Sequence, residues 1–272
     1  MISEINFAYK REGERELNLT FLPPERMIYK SAPLYFIIPG GGWHMESRQS
    51  MIEFSDESVS VLRKNGFAVV SIDYRVTEDG TTNMYDILED CFDAISYVCE
   101  NSQKLGIDTD NVILSGHSAG AHLALMMAYA PHETFKHNYD FEDDFTVKCV
   151  AVMSAPTILY NDSTNNLRDM CEVFVGCDTK EEREFTSPIT YVTPSCPPTL
   201  LCAGTSDDCV FASSSEKLYE KLKENNVTAE IKLSICGGHV FNRMQNGIEP
   251  SISMEEMQSH ITDFILNFTK KY

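Results

Sequence analysis

The segment Gly116-His117-Ser118-Ala119-Gly120 lies between the apolar run Val112-Ile113-Leu114 and a ten-residue stretch, 121–130, that is apolar on nearly every side. The run reads as a buried strand and the stretch as a buried helix. A chain that passes from strand to helix within five residues must turn sharply, and the residue at the turn is forced into a strained backbone with its side chain standing out. Glycine at 116 and 120 fits where a larger residue would collide with neighbouring backbone. Ser118 then sits above a helix N-terminus, where developing negative charge is favoured. A plainer explanation is a tight turn in which Ser118 merely caps the helix.

The surrounding pattern supports the chemical reading. Residues 17–21 alternate like a half-exposed strand ending at Pro23-Pro24, and 34–38 and 67–72 are apolar strands. A helical pattern runs from 84 to 104 and stops at Gly106. Further strands are predicted at 147–153, 199–203 and 229–235, with helices at 214–224 and 255–268. Alternating strands and helices predict an α/β fold: a mostly parallel sheet covered on both faces, with ligands at the carboxyl ends of the strands. With no internal repeat or linker, the 272 residues read as one domain. The segment 156–198, rich in Asn, Asp, Thr and Pro, reads as a lid-like insertion.

Three other segments hold residues that suit the serine. Pro39-Gly40-Gly41-Gly42-Trp43 follows a strand, and glycines there let backbone N–H groups approach a developing oxyanion. The amides of Gly41, Gly42 and Ala119 are the candidate donors. A phosphate cradle would need a Lys followed by Ser or Thr, and Trp43-His44-Met45 supplies neither. Asp207 and Asp208 follow the strand at 199–203, and motif position favours Asp207 as the carboxylate that would orient an imidazole. Either could instead cap the helix near Ser213. His239, in a glycine-rich loop after the last strand, is the candidate general base. His117 and His122 read as structural.

Forty-one acidic against 22 basic residues give a formal charge of −19, which argues against nucleic acid and anionic membranes as partners and disfavours strongly anionic substrates. The acidic clusters at 140–144 and 181–184 read as solvated surface. Nine widely spaced cysteines without a C-x-x-C read as reduced thiols of a cytoplasmic protein. No metal site is expected, and His132 and His137 read as surface histidines. No secretory signal or membrane span is visible. Sequons at Asn161 and Asn226 carry no weight without such a signal.

On these motifs, together with Ser71-Ile-Asp-Tyr-Arg75, Ser187-Pro-Ile-Thr-Tyr-Val192 with Pro197-Pro198, Gly204-Thr-Ser-Asp207 and Gly238-His239, the chain resembles the α/β-hydrolase superfamily over nearly its whole length. Within it, the likeness is to small acetylxylan or sugar-ester esterases and hormone-sensitive-lipase-like carboxylesterases. Pro39 stands where such relatives commonly carry a loop-bracing His. The resemblance implies two-step acyl transfer without cofactor or metal, on a small ester such as an acetylated sugar. Ser118 would be the nucleophile, His239 the base and Asp207 its partner. Trp43 and Tyr160, with Leu159 and Phe174, would shape the substrate pocket. The same triad would serve an amidase, arylformamidase or small peptidase, and a non-catalytic binding module on this scaffold is a third reading. A homo-oligomer is compatible with all three.

Overall fold

The computed structural model describes residues 4–45, 47–76, 82–131, 134, 145–160, 177, 179–242 and 247–269. His132, His137, the acidic cluster 140–144, Asn161, Cys171, Phe174 and most of the proposed insertion lie outside the described residues.

Eight strands form one sheet: β1 (Ile5–Glu12), β2 (Arg15–Leu22), β3 (Ala32–Ile38), β4 (Ala68–Ile72), β5 (Ile107–His117), β6 (Val147–Met153), β7 (Thr199–Gly204) and β8 (Ala229–Ser234). Their order is β1-β2-β4-β3-β5-β6-β7-β8. β1 and β2 form an antiparallel hairpin, and β2 meets β4 antiparallel. Every later pairing is parallel.

The period-two geometry of a strand explains the unbroken apolar runs. Along β3, Leu34, Phe36 and Ile38 join one core, whereas Tyr35 and Ile37 join the other. The first core is closed by the helices Met84–Glu100, Ala119–Tyr129 and Ala212–Glu224. The second is closed by Arg48–Phe54, Asp56–Lys64 and Met254–Phe268. In the helix Ala119–Tyr129 every residue except Ala128 is buried, as its all-round apolar pattern predicts.

Several boundaries differ from the sequence reading. β1 and the helices Arg48–Phe54 and Asp56–Lys64 were not expected. The predicted helix 84–104 breaks at Asn101, whose amide nitrogen donates to Tyr97 O at 2.8 Å. A short turn, Ser102–Leu105, then ends at Gly106 with φ 70°. The acidic cluster 181–184 is helical throughout, because Thr179 and Glu182 form a reciprocal capping box at the start of Lys180–Phe185. Among the described residues, eight cysteines are free thiols, and no helix is long and apolar enough to cross a membrane.

Candidate active site

The turn between β5 and the helix Ala119–Tyr129 places Ser118 at φ 54°, ψ −121°, a conformation that L-residues rarely adopt. Close packing holds it there. A Cβ on Gly116 would lie 2.4 Å from Gly120 C, and one on Gly120 would lie 2.0 Å from Ile38 O. Both positions therefore exclude any side chain. Ser118 N donates to Met153 O at 2.9 Å, which ties the turn to β6. The serine is 8% exposed and opens into a cleft of 510 Å³.

His239 lines the same cleft. Its Nδ1–H donates to Asp207 Oδ2 at 2.7 Å. Asp207 is held in turn, because its Oδ1 accepts from Cys209 N and Val210 N, each at 2.9 Å. Asp208, the alternative carboxylate, is exposed, whereas Asp207, which the imidazole Nδ1 meets, is buried. The loop bearing His239 packs tightly on the end of β7, where a Cβ on Gly204 would sit 2.3 Å from Gly237 O. Its backbone is anchored as well. The His239 carbonyl accepts from His117 Nε2 at 2.9 Å and from Ser154 Oγ at 2.8 Å.

The glycine loop after β3 forms another wall. Gly41 has φ 123°, and a Cβ there would lie 2.1 Å from Met45 O, so only glycine fits. Tyr74, fully buried, donates its hydroxyl to Pro39 O at 2.9 Å. That bond braces the loop at the position where a His is commonly expected. It also gives a role to the Tyr of the Ser71–Arg75 motif, which the sequence left without one.

Of the pocket residues expected from sequence, Trp43 lines the cleft and Tyr160 is not among the described residues that do. Trp43 belongs to the cleft wall, but its side chain is wholly buried and donates from Nε1 to His122 Nδ1 at 3.4 Å. The ring is committed to the core because Trp43 itself has φ 62°, which turns it inward against His122. His122 completes the chain by donating Nε2–H to Thr186 O at 2.7 Å. Burial pushes its value down to about 4. Burial and the neighbouring His239 likewise lower His117 to about 4. Both rings are thus neutral at pH 7, in keeping with structural roles. Tyr160 is partly buried near Glu184 and is not among the described residues lining the cleft. Met51, Phe54 and Cys209 supply the apolar lining instead, with Ser50 and His44 as polar neighbours.

One cluster of carboxylates elsewhere has ligand-like spacing: Glu89, Asp90 and Asp93 lie within 4.8 Å of one another. The Lys10 ammonium sits among them, 2.7 Å from both Asp90 and Asp93, and supplies the positive charge itself.

Residues 20–222 match the BD-FAE family. The probable isoprenylcysteine alpha-carbonyl methylesterase ICMEL1 of Oryza sativa subsp. japonica is 26% identical over 246 residues, covering 83% of this chain and 54% of that protein. Esterase LipQ of Mycobacterium tuberculosis is 27% identical over 230 residues, covering 80% of this chain and 52% of that protein. The chain thus spans about half the length of these relatives. The apo form of Thermogutta terrifontis esterase 2 superposes with a TM-score of 0.79 at 20% identity, covering 98% of this chain and 95% of that one. With its mostly parallel sheet, strained serine turn and family match over three-quarters of its length, the chain has the α/β-hydrolase fold and belongs to the BD-FAE family.

Proposed function

We propose that this chain is a serine carboxylesterase, and that Ser118, His239 and Asp207 form its catalytic triad within one domain spanning residues 1–272. The observation that carries the reading is the 2.7 Å bond from His239 Nδ1 to Asp207, in a cleft that also exposes a strained Ser118. That bond leaves His239 Nε2 as the basic nitrogen. His239 takes the serine proton as Oγ attacks the ester carbonyl, and the tetrahedral oxyanion is held by the amides of Gly41, Gly42 and Ala119. Collapse expels the alcohol, which receives the proton from His239. Water, deprotonated by His239, then attacks the acyl-enzyme, and collapse releases the carboxylic acid and returns the proton to Ser118.

The substrate in this reading is a neutral ester with a short acyl group, such as an acetyl group on a sugar or xylan fragment. Among the described residues, the cleft lining holds no Lys, Arg, Asp or Glu, so nothing there selects an anionic or cationic group. The eight free thiols among the described residues favour a reducing compartment such as the cytoplasm.

Steady-state hydrolysis of p-nitrophenyl acetate by the wild-type chain and by Ser118→Ala tests the assignment. The variant is expected to lose about 10⁴-fold or more in kcat while remaining folded. Undiminished turnover would exclude Ser118 as the nucleophile.

A further inference from the structure

Three neighbouring strands each send one hydrogen bond to His239. Asp207, past β7, accepts from the ring. His117, the last residue of β5, and Ser154, the first residue past β6, both donate to the His239 carbonyl oxygen. The carboxylate fixes the tautomer and the tilt of the ring. It does not by itself fix the backbone from which the ring hangs, in a loop that lies beyond the last strand.

Two features set this pair of donors apart from incidental loop contacts. Ser154 is 1% exposed and has φ 50°, a left-handed backbone that a non-glycine residue adopts only when its surroundings impose it. The imposed conformation coincides with the hydroxyl reaching the His239 carbonyl at 2.8 Å. His117 is packed between two rings, 4.7 Å from Phe54 and 4.7 Å from His239. Its value near 4 leaves one ring proton at neutral pH, and that proton must lie on Nε2 to meet a carbonyl oxygen.

We propose that Ser154 and His117 are positioning residues that clamp the His239 carbonyl and thereby hold the imidazole in the cleft beside Ser118. This rests on His239 being the general base. The clamp acts on the chemical step, because both donated hydrogen bonds end on the backbone carbonyl of His239 and leave its ring nitrogens to Asp207 and Ser118. It is also partly redundant, since two donors share one acceptor.

The test uses the full chain with Ser154→Ala, His117→Phe, the double variant, and His117→Gln, whose side-chain amide restores a donor. Two quantities are read: kcat and KM for p-nitrophenyl acetate, and the low-field proton resonance of His239 Nδ1–H. Each single loss is expected to lower kcat about fivefold to tenfold with KM within about twofold. The double variant is expected to fall by about a hundredfold or more, at least the product of the two. His117→Gln is expected to recover most of the loss, and the resonance to broaden in the double variant. Should His117→Phe fail to fold, Ser154→Ala, which removes a single oxygen, carries the test. A folded double variant with wild-type kcat and an unchanged resonance would overturn the clamp, as would a Ser154→Ala variant whose only change is in KM. If the wild-type chain cleaves no ester, the esterase reading falls, and the resonance alone then decides whether the carbonyl is clamped.

Discussion

Two regions of this molecule gather polar groups in opposite ways. Where β1 meets the helix Met84–Glu100, charge is concentrated and closed. Lys10 Nζ lies 2.7 Å from Asp90 and Asp93 and 3.1 Å from Glu89, while Arg75 bonds Asp90 through Nε at 2.8 Å and Glu89 at 2.7 Å. Burial pulls the Lys10 value down, but its hydrogen bonds to Asp90 and Asp93 more than offset this and raise it well above the ordinary lysine range. At the carboxyl ends of β5 to β7, by contrast, the groups are histidines, hydroxyls and one carboxylate, partnered on the side facing the sheet and open on the side facing the cleft.

Backbone strain separates the two regions more sharply than charge does. Among the described residues, six non-glycines have positive φ, and five of them (Trp43, Ser118, Ser154, Cys236 and Phe241) lie in the segments that carry or hold Ser118, His239 and the glycine loop. The sixth, Asn226, follows a helix end. Dense charge here marks architecture, whereas imposed backbone marks chemistry.

The contrast breaks most readily at Lys10. Lys10→Met leaves Asp90 and Asp93 buried with one fewer cation, which should cost about 3–5 kcal/mol in urea unfolding. Reaction of Ser118 with a fluorophosphonate should be unchanged while the chain is folded; altered reactivity would mean that the two regions are coupled.

The next effect is a pH dependence of stability that arises beside the cleft. His122 is fully buried, and its value of about 4 lies below the ordinary 6.5 it regains on unfolding. A depressed folded value means that its contribution is complete above about pH 6.5 and is lost as pH falls through 4. The loss is on the order of 3 kcal/mol. His117 acts in the same direction, by less, because its cleft position gives water partial access. Thermal unfolding followed from pH 7 to pH 4 should show this fall, and His122→Gln should flatten it whatever its absolute stability.

A smaller effect concerns the brace on the glycine loop. Tyr74→Phe removes only the hydroxyl that reaches Pro39 O, and kcat for p-nitrophenyl acetate should fall about tenfold with little change in KM. An unchanged kcat would show that packing alone fixes the loop.

Much of this was legible in the sequence, and the rest was hidden for identifiable reasons. β3 is readable because all seven residues are buried on two faces. β1 is not, because Lys10 interrupts it at an inward position, and its partners lie some 80 residues away. The helix Arg48–Phe54 buries only Met51 and Ile52, too few to display a period. The Thr-x-x-Glu signature at 179–182 could have identified the helix that contains the acidic cluster. Ser118, Asp207 and His239 stand in motifs whose order carries the information. Trp43 does not reveal from sequence which way its ring turns. Ser154 and Tyr74 act through backbone carbonyls far along the chain, and sequence spacing holds no trace of such partners.

The central claim is that one of two adjacent aspartates orients the base. The kcat values of Asp207→Asn and Asp208→Asn, measured on the same ester, test it directly. Asp207→Asn should lose about 10⁴-fold by stabilising the wrong imidazole tautomer, while Asp208→Asn stays within about threefold of wild type. Equal losses in the two variants, or a larger loss at Asp208, would contradict the account.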